Sequence, residues 1–116
     1  MKKIANYVKM TYYEKVINTV YTSRRARKSL LKLPKVIAAA YVTWELSIRE
    51  LGLHEVQKIS GYHDEQLSGK LKGIRSFRLS KDYRGYYRII NETIAFVMVE
   101  EVNKHDYKKV ERLFGG

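Results

Sequence analysis

Between Ser76 and Val102 the side chains alternate with a period of two, in runs broken only at Ser80-Lys81-Asp82 and Asn91-Glu92. Alternation sends successive residues to opposite faces of a sheet, so Ser76 to Ser80, Tyr83 to Ile90 and Thr93 to Val102 are predicted strands. Gaps this short join antiparallel neighbours, because a parallel crossover needs a dozen residues or more. A sheet with an apolar face must bury it against another layer. The cover is expected from the preceding segment. Ser23 is a candidate N-cap for a basic helix reaching Leu33, and Pro34, suited to a first helical turn, opens a second helix that Gly52 closes after Leu51. Within it Ile37, Ala40, Tyr41, Trp44, Ile48 and Leu51 recur at three and four residue steps, one apolar stripe for packing on a sheet.

Ahead of this hairpin, Lys15 to Thr22 is rich in β-branched and aromatic residues and reads as a further strand. From Gly52 to Gly73 the pattern is lost and a long loop is expected, while Asp106 to Phe114 has the spacing of a short terminal helix. The predicted fold is α+β: a small antiparallel sheet packed against an N-terminal helical hairpin, in the order β-α-α-β-β-β-α. Residues 1–14 read as an N-terminal extension and a candidate for disorder, and 15–116 as one domain.

The chain has 116 residues and no Cys, which removes disulfides, thiolate nucleophiles and Cys-ligated zinc. Its longest uncharged run, Val36 to Trp44, is too short to span a bilayer, and Lys9 interrupts the apolar residues near the N-terminus, so neither a span nor a signal peptide is expected. The expected compartment is the cytoplasm. His54, His63, His105, Asp64 and Glu65 show no metal-ligand spacing, so no metal and no cofactor is expected. Walker, dinucleotide and nucleophile-elbow motifs are also missing.

A formal net charge of +11 points to a polyanionic partner, with nucleic acid first. Six basic residues and no acid lie between Arg24 and Lys35, and a second basic block runs from Lys70 through Lys72, Arg75, Arg78, Lys81 and Arg84 to Arg88. Between them, the acid-rich stretch from Glu45 to Glu65 is expected to face away from the polyanion. In the strand from Tyr83, alternation places Arg84, Tyr86 and Arg88 on one face and Tyr83, Gly85 and Tyr87 on the other. With Arg78 on the adjacent strand, the arginine face is a candidate anion-binding surface, and at least two of Tyr83, Tyr86 and Tyr87 are expected to pack rather than stack on bases. Cleaving RNA without a metal needs a base for the 2′-hydroxyl, an acid for the leaving 5′-oxygen and cations around the phosphate. Arg78 and Arg84 can serve as clamps, and His105 with Tyr107 follow the last strand.

The run GYHDEQLSGKLKGIRSFRLSKDYRGYYRI at 61–89, the later FVMVEEVNKHDY and the helix ending in LKLP resemble the RelE/ParE superfamily of type II toxin-antitoxin toxins, nearest its RelE-like and HigB-like mRNA endonucleases. The likeness spans about residues 18 to 113. It implies that Arg84, in the YR-x-x-Y strand, holds the scissile phosphate, with Arg78 and Arg75 as basic residues of the preceding strand. By the same resemblance His105 is the acid, and Tyr107 stacks on the base or acts as a base. Lys70, Lys72, Arg75, Arg88 and Lys104 are the implied RNA-binding residues. The implied partners are a cognate antitoxin, mRNA and the ribosome. The alternatives are a ParE-like gyrase inhibitor, whose toxicity would not depend on His105, and a non-catalytic RNA-binding module.

Overall fold

Ser23 does what its position predicts: its Oγ accepts the Ala26 N–H at 3.1 Å and starts helix α1, Arg24–Leu31. The structure, a computed structural model, describes residues 16–101, and from 95 onward the backbone alone. The first strand, β1, is Val20–Thr22, shorter than the Lys15 to Thr22 run suggests. Helix α1 stops two residues before the predicted Leu33, because the Lys32 and Leu33 N–H groups bond three residues back and tighten the turn ahead of Pro34. Helix α2, Lys35–Leu51, has the predicted bounds, and Gly52 at φ 85° ends it.

The stretch read as a loop is largely ordered. It holds helix α3, Leu53–Gln57, a 3₁₀ turn at Ser60–Tyr62, strand β2, Glu65–Gln66, and a second 3₁₀ turn at Gly69–Leu71. Elements of two to five residues are too short to show a period; they are held by tertiary packing, with Leu53, Val56 and Leu71 buried. Strands β3, Arg75–Ser80, β4, Tyr83–Ile90, and β5, Thr93–Glu101, form the predicted meander. Asn91 and Glu92 both take positive φ, 51° and 63°, the sign that a two-residue turn matched to strand twist requires.

The sheet has five strands in the order β1-β5-β4-β3-β2. The expectation of a purely antiparallel sheet is corrected at one edge: β1 pairs with β5 in parallel, Val20 opposite Ile94. Everything from α1 to β4 lies between the two strands, far more than the dozen residues such pairing needs. On the helix side of the sheet, Ile37, Tyr41, Trp44 and Ile48 pack with Phe77, Tyr87 and Ile94 in the core. Leu51, counted in the predicted stripe, is exposed instead.

At the centre of this core Trp44 stacks on Phe77, with ring centroids 4.1 Å apart and 11° between planes. Gly85 lies directly opposite Phe77, and a Cβ there would come 2.6 Å from Phe77 Cε1. The ring cannot retreat, because Trp44 backs it. Gly85→Ala is therefore expected to cost roughly 1–3 kcal/mol by overpacking, read as a lower urea midpoint at unchanged slope.

Tyr41 is another buried group with a testable consequence. Burial pushes its phenol up to about 12, against the opposing hydrogen bond with Thr22 Oγ1 at 2.9 Å. In the unfolded chain a tyrosine ionises near pH 10. A folded-state value above the unfolded one means full stability below pH 10 and progressive loss between pH 10 and about 12. Alkaline unfolding in that window, reduced in Tyr41→Phe, is the expected result.

Candidate active site

The face of the sheet away from the helices is built by register. Arg78 lies directly opposite Arg84, Ser76 opposite Tyr86, and Glu65 opposite Ser76. Directly opposed residues share a face, so Glu65, Ser76, Arg78, Arg84 and Tyr86 lie together on it. Alternation adds Arg88, which is exposed. Tyr86 and Tyr87 are both fully buried, and Tyr83 packs against the core cluster, so these tyrosines serve packing as expected.

Arg84 is the focus. Its Nη2 donates to Ser76 Oγ at 3.0 Å and to the His63 carbonyl at 3.4 Å, and it lies 3.5 Å from Glu65 Oε1. The guanidinium is held in place with its side chain 18% exposed, enough to present N–H groups to an incoming anion. Arg78 beside it is exposed, and its two-residue partnership with Arg84 puts two permanent cations side by side. Neighbouring like charges directly across strands are unfavourable. An anion between them removes that cost.

Arg75 does not belong to this face. It is opposite Tyr87 and shares the helix side of the sheet. There the Asp64 carboxylate, with its side chain 2% exposed, accepts from Arg75 Nε and from Tyr87 Oη, each at 2.6 Å. Gln57 Nε2 donates to Tyr87 Oη at 3.1 Å. Burial first, and the adjacent carboxylate second, raise the Tyr87 phenol above its ordinary value. For Arg75 burial works against the charge, but the Asp64 carboxylate outweighs it and the net shift is upward. Arg75 thus fastens β3 to the segment before β2.

Lys70 and Lys72 are exposed on and just after the second 3₁₀ turn, which leads into β3. His105, Tyr107 and Lys104 lie outside the described residues, as do residues 1–15. Among the described residues no three metal-ligating side chains converge, and no helix is long and apolar enough to cross a membrane.

Three members of the arginine site were not assigned to it from the sequence: Ser76, and Glu65 and His63, which were weighed only as metal ligands. The acid-rich stretch ending at Glu65 was expected to face away from the polyanion, yet Glu65 stands beside Arg84. Counting charge over a block hides the alternation inside it. Asp64 turns to the helix side and Glu65 to the arginine side, as adjacent residues in extended chain must. A signal was present in the sequence, since β2 alternates like any strand, but two residues show no pattern.

No family model and no curated protein matches the sequence. Solved structures do. The chain is similar to the toxin-antitoxin complex RelBE2 from Mycobacterium tuberculosis, with 29% identity over 74% of this chain and 99% of that one, at a TM-score of 0.56. It is also similar to an archaeal RelE-RelB complex from Pyrococcus horikoshii, at 18% identity, 77% and 99% coverage and TM-score 0.59. YafQ from Escherichia coli matches at 15% identity, 72% and 92% coverage and the same TM-score, 0.59. Three helices against a five-stranded mixed sheet, the paired arginines in the YR-x-x-Y register and these likenesses agree: the chain has the fold of the RelE/ParE superfamily of type II toxin-antitoxin toxins.

Proposed function

We propose that this protein is the toxin of a type II toxin-antitoxin system and inhibits translation as a metal-independent mRNA endoribonuclease acting at the ribosome. The observation that carries this reading is the Arg78 and Arg84 pair, opposed on the sheet face with the Glu65 carboxylate and the His63 carbonyl beside Arg84. Two guanidiniums can bracket a phosphodiester through bidentate N–H contacts and stabilise the charge that builds on its oxygens.

In the reaction, the 2′-hydroxyl loses its proton to a base and its oxygen attacks the adjacent phosphorus. The bond from phosphorus to the 5′-oxygen breaks, and an acid protonates that oxygen. The products are a 2′,3′-cyclic phosphate and a 5′-hydroxyl. Arg84 and Arg78 hold the phosphate throughout, while His105 is the acid and Tyr107 stacks on a neighbouring base. Register supports that assignment. Glu100 is opposite Arg84 and Glu101 opposite Tyr83, so β5 brings the chain to Arg84 five residues before His105. Five residues reach about 18 Å at most. Lys70, Lys72, Arg88 and Lys104 bind flanking phosphates. A cognate antitoxin is the proposed protein partner, in keeping with the complexes RelBE2 and RelE-RelB.

Induced expression in bacteria tests the reading. The wild type is expected to arrest growth and to create new 5′ ends inside reading frames, and the double variant His105→Ala/Tyr107→Ala to do neither. Arrest by both proteins without cleavage would point to gyrase instead. A chain that neither arrests growth nor cleaves would be a binding module.

A further inference from the structure

Arg75 is the basic residue that the resemblance groups with the RNA-binding set and that the structure turns the other way. On the helix side of the sheet, across from the Arg78 and Arg84 pair, it lines a cavity of about 540 Å³. Pockets that hold small molecules span about 300–1,000 Å³ and combine mostly apolar walls with a few placed polar groups. This one has both. Val16, Ile17, Leu51, Leu53 and Ile89 supply aliphatic walls, while Arg75, Gln57 and Gln66 are gathered by the Asp64 cluster. Val16, Leu51 and Ile89 are exposed, so the mouth of the cavity is an apolar surface facing water.

The Arg75 guanidinium is fixed before any ligand arrives. Its Nε donates at 2.6 Å to the buried Asp64 carboxylate, and its Nη1 reaches Gln66 Oε1 only at 3.5 Å. An arginine carries five N–H donors. Asp64, Gln66 and the neighbouring Tyr87 phenol account for three of the five at most, which leaves two, the number a carboxylate takes up in a bidentate pair. The side chain is 25% exposed, so this edge is open to the cavity. Charge then selects among anions. Asp64 already balances the guanidinium, and Glu55, on the cavity wall and held by Lys58 at 3.1 Å, is a second carboxylate. Both repel a dianion such as a phosphate monoester about twice as strongly as a monocarboxylate. Among the described residues lining the cavity the only ring is that of His54, so the walls suit a flexible aliphatic body rather than a stacked heterocycle.

We propose that this cavity binds a medium-chain aliphatic carboxylate, with its head group on the outer N–H groups of Arg75 and its chain along Ile17, Leu51, Leu53 and Ile89. The site lies across the sheet from the proposed cleavage centre and does not depend on that reading. Binding holds Arg75 against Asp64, the pair that fastens β3 to the segment before β2, so the ligand also stabilises the fold.

The test titrates the full-length chain with octanoate, by calorimetry and by the fluorescence of Trp44, the chain's one tryptophan, whose ring centroid is 5.6 Å from that of Tyr87. One saturable site with a Kd on the order of 0.1 mM is expected, and a higher urea midpoint at saturating ligand. Acetate has the head group alone and octanol the chain alone, and each should bind about tenfold more weakly or worse. Arg75→Lys keeps a cation for Asp64 but lacks the planar fork, and should weaken octanoate about tenfold. Leu51→Asp, at an exposed position, sets a negative charge on the wall and should weaken binding by about as much with the circular dichroism spectrum unchanged; it decides the matter if Arg75→Lys fails to fold. Absence of a saturable site overturns the inference. Octanol binding as tightly as octanoate overturns it too, since the cavity would then take a chain without a head group. Equal octanoate binding by the wild type and the folded variants would put the ligand on the basic surface outside the cavity, and contradicts it as well.

Discussion

Arg84→Ala is expected to lower the rate of RNA cleavage about a hundredfold or more, since it removes a fixed cation from the phosphate on which charge develops. The expected pattern is a fall in kcat and kcat/KM together, the signature of an interaction that matters most in the transition state. Arg84→Lys should recover little, because an ammonium cannot reproduce the planar fork now bracketed by Ser76 Oγ and the His63 carbonyl. The control is folding. Ser76 is buried, and loss of Arg84 leaves its hydroxyl without that donor, so circular dichroism and a urea midpoint must accompany each rate. A variant that folds, binds RNA and cleaves at the wild-type rate would remove Arg84 from the site.

Asp64→Ala is expected to be the most destabilising single change in the cluster of Asp64, Arg75 and Tyr87, by about 3 kcal/mol. Removing one partner of a buried ion pair costs about 3–5 kcal/mol, and the lower end applies because the Arg75 side chain is a quarter exposed and can turn to water. The loss also strips Tyr87 Oη of its 2.6 Å acceptor. Tyr87→Phe removes the phenol's bonds to Asp64 and Gln57 but keeps the ion pair, and should cost roughly 1–2 kcal/mol. Chemical denaturation of both variants checks the ratio. The same change should loosen β2, so Asp64→Ala should lose cleavage activity at temperatures where it is still folded. Equal effects of the two substitutions would mean that Asp64 does not carry the cluster.

The fold was legible where the chain repeats a period for long enough. Helix α2 and strand β4 have the predicted bounds, and the turn at Asn91-Glu92 follows from its length. The parallel pairing of β1 was not legible. A three-residue strand carries no information about its partner, and its place beside β5 is set by how the hairpin packs on the sheet. The region after Gly52 failed for the same reason, since two- to five-residue elements are specified by buried contacts at Leu53, Val56 and Leu71.

At the site, alternation placed Arg78 and Arg84 on one face correctly, because both lie in strands long enough to fix their register. It also separates Arg75 from them, three residues before Arg78, although summed charge had grouped all three. Glu65 and His63 were hidden by the opposite error: averaged into an acidic stretch, they gave no hint that one turn would deliver them to Arg84. Charge summed over a block describes attraction at a distance, whereas a catalytic arrangement depends on which side of the backbone each residue takes.

The most direct measurement is the chemistry of the cut ends. Purified protein is mixed with mRNA, free and on translating ribosomes, and the termini are analysed together with a substrate carrying a single 2′-deoxynucleotide at the mapped site. The account predicts 2′,3′-cyclic phosphate and 5′-hydroxyl termini, with the deoxy substrate uncut. Termini bearing 5′-phosphate and 3′-hydroxyl, cleavage of the deoxy substrate, or intact mRNA in both settings would contradict it.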